Sequence, residues 1–141
     1  MIEELKQRAA GRFYYLASPY THASSAMRDL RAAVAYEMAG ELMAKGLYVY
    51  AAIPATHEAA KAHTLPTNYE WWVGFNESFI KASAGIIVCC IPGWEESRGV
   101  KFEIEYAQSL GLPVYMGHLI ARDVDVRPFA IKTDQTVLDL R

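Results

Sequence analysis

The sequence predicts an α/β fold in which a parallel sheet is covered by helices on both faces. Three observations support this prediction. Short runs of β-branched and aromatic residues alternate with longer stretches whose apolar residues recur at helical spacing. Glycine or proline stands where one pattern gives way to the next. The alternation favours parallel strands joined by right-handed crossovers, and a length of 141 residues suits one domain spanning residues 1–141.

The first part of the chain contains two predicted strands around one long helix. In order, the elements are a polar lead-in (1–11), a strand (13–17) ended by Ser18-Pro19-Tyr20, a helix from Ser24-Ser25 to Lys45-Gly46, and a strand (47–53) closed by Pro54. The helix carries apolar residues on one face: Met27, Leu30, Val34, Met38, Leu42 and Met43. Residues 55–65, which carry His57 and His63, fit no single pattern.

The second part repeats the alternation. Its predicted elements are a helix (69–82), a strand (86–91) starting after Gly85, a helix opening at Ser97-Arg98-Gly99 and stopping at Gly111-Leu112-Pro113, and a short strand (114–116). An edge strand lies at either 119–121 or 130–132, and residues 135–141 form a tail. We therefore expect a Rossmann-like sheet of four to five strands in flavodoxin-like order.

Composition and motifs exclude several classes of function. With 14 Lys and Arg against 16 Asp and Glu, the chain lacks the basic surface of a nucleic-acid-binding protein. No apolar run is long enough to cross a membrane. Cys89 and Cys90 are neighbours in a strand, so their side chains point to opposite faces; we interpret them as reduced packing residues of a cytoplasmic protein. Dinucleotide, Walker, nucleophile-elbow and metal-ligand spacings are absent, so we expect neither a metal nor a cofactor.

Candidate binding residues gather where the predicted strands end. In a parallel sheet the carboxyl ends of strands meet at one edge, and ligands bind in the crevice there. The loops that follow the first three strands and the helix start after the third bring together Tyr20, His22, His57, Trp94, Ser97 and Glu103. This mixture of aromatic rings, hydrogen-bonding groups and one acid suits a small polar ligand with a flat ring.

The Ser97-Arg98-Gly99 turn has two interpretations. A helix N-terminus presents unpaired N–H groups and a positive dipole end, so the turn suits a phosphate, with Ser97 and Arg98 adding contacts. The simpler alternative is an ordinary N-cap serine. Glu103 lies one turn further along this helix, where the dipole should bias it toward ionisation, as suits a nucleophile or charge stabiliser; the alternative is a solvated helix glutamate.

Two stretches resemble the nucleoside 2-deoxyribosyltransferase superfamily, and most closely its DUF1937 branch. They are Tyr15-Leu16-Ala17-Ser18-Pro19-Tyr20-Thr21, and Gly93 to Val100 followed by Glu103 and Ala107. The resemblance implies that Glu103 is a nucleophile attacking the anomeric carbon of a ribosyl or deoxyribosyl group. It also implies that Ser97, with Gly99 beside it, holds a 5′-phosphate and that Ser18, Pro19 and Tyr20 bind sugar and base. Members of the superfamily are commonly dimers or larger, which implies a homodimer or homotetramer here.

One position departs from the resemblance. Asn76 stands where relatives usually have an aspartate that serves proton chemistry or orients the nucleophile, and an amide has no titrating proton. Gly85 likewise stands where many relatives have an aspartate. The sequence therefore leaves three hypotheses: an N-glycosidic bond-cleaving or transferring enzyme, a catalytically inactive nucleotide-binding or sensing module, and an interaction protein using Trp71 and Trp72.

Overall fold

A computed structural model of the chain describes residues 1–129, which form one five-stranded sheet flanked by helices. The elements are α1 (Ile2–Ala9), β1 (Tyr14–Ala17), α2 (Ser25–Ala44), β2 (Val49–Ala51), α3 (Ala52–Ala62), α4 (Tyr69–Ala82), β3 (Ile86–Cys89), α5 (Arg98–Ser109), β4 (Val114–Ile120) and β5 (Asp123–Pro128). The strand order is β2-β1-β3-β4-β5. The first four strands are parallel, and β5 pairs antiparallel with β4. This confirms the predicted fold class and flavodoxin-like order.

The central strands are buried on both faces, so alternate residues enter two separate cores. Tyr14, Leu16 and Ile87 pack with residues of α1 and α2. Their neighbours in the strands, among them Tyr15 and Ile86, pack with residues of α4 and α5. Cys89 belongs to the first core and Cys90 packs against the second, and both are free thiols. The prediction that the two cysteines point to opposite faces is therefore confirmed.

The predicted edge strand was placed wrongly. Residues 119–121 form the end of β4 and the turn after it, where Ala121 has φ 56°. The alternative at 130–132 and the tail at 135–141 lie outside the described residues. The edge strand is β5, in which Val124 and Val126 are buried while Asp123 is exposed. The alternation of valine with polar residues in β5 is typical of an edge strand. Three of its six residues are charged, however, and the sequence analysis did not recognise it as a strand.

Two helices were missed or left open by the sequence. The lead-in contains α1, which buries Leu5 and Ala9. The unassigned stretch after Pro54 is α3, which begins immediately after β2 and makes that strand shorter than predicted. Pro54 lies in the first turn of α3, where a residue without an N–H loses no helical hydrogen bond. Among residues 1–129, no helix is both long and apolar enough to cross a membrane.

Candidate functional site

A cavity of about 440 Å³ lies at the carboxyl edge of the sheet, between the loop after β1 and the N-terminal part of α5. Side chains of α4 close another wall. Six of the residues proposed from the sequence line it: Ser18, Tyr20, Asn76, Ser97, Gly99 and Glu103. The topology therefore brings together the loop after β1, Asn76 of α4 and the residues from Ser97 to Glu103. They meet at the carboxyl ends of the parallel strands, where ligands bind in sheets of this kind.

Glu103 lies in this cavity with only 4% of its surface exposed. The Tyr15 hydroxyl donates a hydrogen bond to its Oε2 over 2.8 Å, and Asn76 Nδ2 donates to the same oxygen over 3.2 Å. Within residues 1–129 no further side-chain hydrogen bond of normal geometry reaches this carboxyl group, although the Tyr69 hydroxyl lies close enough to lower its pKa. The carboxyl group is thus held by one oxygen while its second oxygen remains available to a ligand.

The expectation that the helix dipole would favour ionised Glu103 was wrong. Burial, with a smaller contribution from the nearby Glu77, raises the pKa of Glu103 from 4.5 to about 8. Hydrogen bonds from Tyr15 and Asn76, and the nearby Tyr69 hydroxyl, lower the pKa but only in part. Desolvation therefore outweighs dipole and hydrogen bonds together, and Glu103 is mostly protonated at neutral pH when the cavity is empty.

Tyr69 covers the start of α5 because Gly99 has no side chain. A Cβ on Gly99 would lie 2.9 Å from Tyr69 Cδ1, closer than the ring allows. The Tyr69 hydroxyl is buried and makes no hydrogen bond of normal geometry within residues 1–129. Burial and the neighbouring Glu103 raise its pKa, so it remains a donor. The Ser18 hydroxyl in the same cavity is also buried without a partner among the described residues. Both are free to bind a ligand.

Ser97 caps α5, its Oγ accepting a hydrogen bond from the Val100 N–H over 3.2 Å. The interpretation of Ser97 as an N-cap serine is therefore confirmed. Ser97 also lines the cavity. Arg98 also lines the cavity, but it is paired there, with its Nη2 2.5 Å from Glu70 Oε2. The cation that the sequence analysis expected to add phosphate contacts is thus already neutralised by a carboxylate.

A second cation in the cavity lining is Arg31 of α2. Its Nη1 donates to the Thr21 carbonyl over 2.9 Å, and its Nε is buried without a partner among the described residues. The guanidinium passes over Gly93, where a Cβ would lie 2.4 Å from Nη2. No carboxylate within residues 1–129 pairs with Arg31. The sequence analysis missed Arg31 because an arginine within a helix usually faces solvent. Its contact with Gly93 joins two residues that are far apart in the chain, so no local pattern indicates it.

The other four proposed residues do not line the cavity. Pro19 is fully buried beneath the loop. His22 is exposed, and its Nδ1 accepts a hydrogen bond from the Ser24 N–H over 2.9 Å. Trp94 lies in a separate groove with Val100 and Phe129. His57 is buried behind Tyr20, with its Nδ1 2.8 Å from the Tyr20 hydroxyl. Of these four, His57 is the one whose side chain forms a hydrogen bond with a side chain of the cavity lining, that of Tyr20.

Gly85, noted in the sequence as lacking an expected aspartate, is explained by packing. Its φ is +154° and a Cβ would lie 2.7 Å from the Pro113 carbonyl oxygen. A side chain at this position would push apart the starts of β3 and β4, so the glycine is structural. Among residues 1–129, no three His, Cys, Asp or Glu side chains are grouped to hold a metal ion.

Comparison with known proteins identifies a family. A family model described as "Domain of unknown function (DUF1937)" matches residues 12–118, a segment that contains every proposed site residue and Arg31. No curated protein matches the chain significantly. The match covers more than half of the sequence and runs from the residues before β1 into β4. The chain belongs to the DUF1937 family.

Proposed function

We propose that this protein cleaves or transfers the N-glycosidic bond of a nucleoside or nucleoside 5′-monophosphate, with Glu103 as the nucleophile. The observation that carries the proposal is the buried Glu103, held through Oε2 in a cavity of nucleotide size with Oε1 available. A carboxylate so positioned suits a two-step displacement through a glycosyl-enzyme intermediate. The protein is proposed to act in the cytoplasm and without a cofactor.

The proposed reaction begins when Oε1 of Glu103 forms a bond to C1′ of the sugar and the bond from C1′ to the base breaks. Tyr15 and Asn76 hold Oε2 by hydrogen bonds and fix the direction of attack. Water or a second base then takes the sugar from Glu103. The carboxyl must be ionised to attack, and burial raises its pKa to about 8, so the proposed activity rises with pH toward that value.

The cavity walls support a flat base with a polar sugar. Tyr20, Tyr69 and Trp72 all line the cavity and offer aromatic surface. Trp72 is held in place because its Nε1 donates to the Pro66 carbonyl over 2.8 Å. The unpartnered hydroxyls of Ser18 and Tyr69 supply donors or acceptors for sugar oxygens or base edges.

A second candidate function is a catalytically inactive nucleotide-binding or sensing module. The observation that favours it is Asn76, whose amide donates to Glu103 but has no titrating proton to give. Under this alternative the cavity binds the same ligands, and the neutral Glu103 is a hydrogen-bonding group of the binding site.

The two candidates are separated by assaying the purified protein against a panel of ribo- and deoxyribonucleosides and their 5′-monophosphates. We expect free base to be released from at least one compound, detected by chromatography. Thermal shift on the same panel identifies compounds that bind, because ligands of the native state raise its apparent stability. Binding without release from any compound would favour the sensing module over the enzyme.

We expect Arg31, and not Arg98, to give preference for 5′-monophosphates. A charge-assisted hydrogen bond contributes about 1.5 to 3 kcal/mol, so Arg31→Gln should lower kcat/KM or affinity for monophosphates roughly 10- to 100-fold. Values for the matching nucleosides should change little. Arg98→Gln is the comparison, since its cation is already neutralised by Glu70. Ser97→Ala is less informative because it also removes the cap of α5. Equal losses for nucleoside and monophosphate would refute the assignment.

We also propose that the chain forms a homodimer or homotetramer through the aromatic face of α4. Trp71 is 53% exposed and Phe75 is 46% exposed, and both contact Trp72 at the cavity. A large exposed aromatic surface of this kind favours association. Light scattering after gel filtration should give a dimer or larger, and Phe75→Lys should give monomers. Tyr36→Lys on α2 changes a ring that is even more exposed, at 71%, on another helix and should have no effect. A monomeric wild type would contradict the proposal.

A further inference from the structure

A chain of hydrogen bonds leads from the cavity to the protein surface through three side chains. The Tyr20 hydroxyl, in the cavity wall, lies 2.8 Å from His57 Nδ1. His57 Nε2 lies 2.9 Å from Asp29 Oδ1. The Asp29 side chain is 51% exposed and also pairs with Lys61 over 3.3 Å. The loop after β1, α3 and α2 each supply one member, so the tertiary fold assembles the chain of contacts.

Tyr69 also carries a hydroxyl in the cavity, but its titratable neighbours are the acids Glu103 and Glu77, and burial and these acids raise its pKa. The remaining side chains of the cavity supply no acid for the departing base. Asn76 cannot titrate. Tyr15 is fully buried, and its hydroxyl already donates a hydrogen bond to Glu103. Glu70 is paired with Arg98, and Glu96 is exposed at the cavity rim. Tyr20 differs from all of these because a titratable imidazole stands directly behind its hydroxyl.

We propose that Tyr20 is the acid that protonates the leaving base and that His57, oriented by Asp29, resupplies its proton. This inference rests on the proposed N-glycosidic activity. When His57 is protonated, its Nδ1–H donates to the Tyr20 oxygen and its Nε2–H donates to Asp29, so the Tyr20 O–H is free to turn into the cavity. Tyr20, which lines the same cavity, then supplies the proton that Asn76 cannot.

The proposed step balances. The electron pair of the bond between C1′ and the base goes to the base nitrogen, which takes the Tyr20 proton, while Glu103 forms its bond to C1′. The Tyr20 oxygen takes the Nδ1 proton of His57, which becomes neutral. In hydrolysis, water then replaces Glu103 at C1′ and its proton returns to His57 through Tyr20. The sum is nucleotide plus water giving base plus sugar phosphate.

Charged groups around the relay determine its pH dependence. Asp29 and Arg28 of α2 and Lys61 of α3 face Tyr20 or His57, and Glu58 lines the outer groove beside His57. Burial raises the pKa of Tyr20, while Arg28 and Lys61 lower it, so the hydroxyl stays protonated and acts as a relay, not as an anion. Tyr20 therefore keeps its proton over the pH range in which Glu103 ionises, and activity should rise with that ionisation.

The test compares two substrates with the same sugar phosphate. One is the nucleotide cleaved best in the panel, and the other is its 4-nitrophenyl analogue, whose stable phenolate leaves without a proton. Tyr20→Phe and His57→Gln should lower kcat on the nucleotide by about 10²-fold or more, as expected for loss of general acid catalysis, and on the aryl analogue less than about threefold.

Two further variants make the test decisive. Asp29→Asn alters the surface end of the relay, where folding is not at risk, and should show the same substrate difference to a smaller extent. His63→Gln changes an exposed histidine at the end of α3 and should leave both substrates unaffected. Equal losses on both substrates, or a selective loss in Glu96→Gln instead, would overturn the relay alone. Release from the aryl analogue but from no nucleotide would also overturn it. No release from either substrate by the wild type would overturn the proposed function and the relay with it.

Discussion

Glu103→Gln is expected to abolish base release while leaving nucleotide binding intact. The amide keeps the size of the side chain and an oxygen that can accept from Tyr15 and Asn76, but it cannot form the bond to C1′. We expect kcat to fall by about 10³-fold or more, corresponding to at least about 4 kcal/mol of lost transition-state stabilisation. Release of base by chromatography gives kcat, and calorimetry with the same nucleotide gives Kd.

Glu105→Gln is the matched control for this experiment. Glu105 is on the same helix, two residues further on, and is exposed where Glu103 is buried. Its variant should retain wild-type kcat. The wild type quenched in acid during turnover should also carry the mass of one sugar phosphate, and the Glu103→Gln protein should not. Retention of activity in Glu103→Gln would remove the nucleophile from the proposal, and with it the main argument for an enzyme.

The fold was predictable because its signals are local. Each parallel strand is a short apolar run ended by glycine, proline or a helix start, and the helices carry apolar residues at helical spacing. β5 was not found because half of its residues are charged, so the strand depends on pairing with β4. Such pairing is a tertiary contact that no window of sequence contains.

The site was predictable where one helix carries it. Ser97, Gly99 and Glu103 are placed by the periodicity of α5 alone, and all three line the cavity. Arg31 belongs to another helix, and its relation to the site arises only where it crosses Gly93. The protonation of Glu103 was predicted wrongly for the same reason. Dipole effects follow from sequence position, whereas burial follows from Tyr15 and Asn76 closing over the carboxyl.

His57 shows how sequence analysis can misplace a residue within the fold. The sequence placed it in a strand-end loop beside the ligand, but the loop is the first turns of α3. Helical geometry turns its ring behind Tyr20, where it packs edge-on at a centroid distance of 5.4 Å. The sequence analysis took Pro54 as the end of a strand, whereas it lies in the first turn of α3. This misplaced helix start is why His57 was expected to line the cavity.

Glu103→Gln is also expected to become more stable than the wild type as pH rises. In the folded protein burial raises the pKa of Glu103 from 4.5 to about 8, so between these values the folded state holds a proton that the unfolded state has lost. Stability falls with pH wherever the folded state binds more protons. The wild type should therefore lose stability across this range, and the loss should be complete above pH 8. Glutamine does not titrate, so the Glu103→Gln variant does not undergo this decrease in the free energy of unfolding.

The expected difference is large enough to measure by urea unfolding. The folded-state pKa of about 8 lies above the ordinary 4.5, which corresponds to an upper estimate of about 5 kcal/mol, and partial opening of the site would reduce it to roughly 3 kcal/mol. The free energy of unfolding of Glu103→Gln minus that of wild type should thus grow by several kcal/mol from pH 4.5 to pH 8.5. The same difference for Glu105→Gln should be flat, which cancels every titration that the proteins share. A flat difference for Glu103→Gln would mean that Glu103 is already ionised in the folded protein at pH 4.5. In that case burial would not raise its pKa, and the neutral carboxyl described for the empty cavity would be wrong.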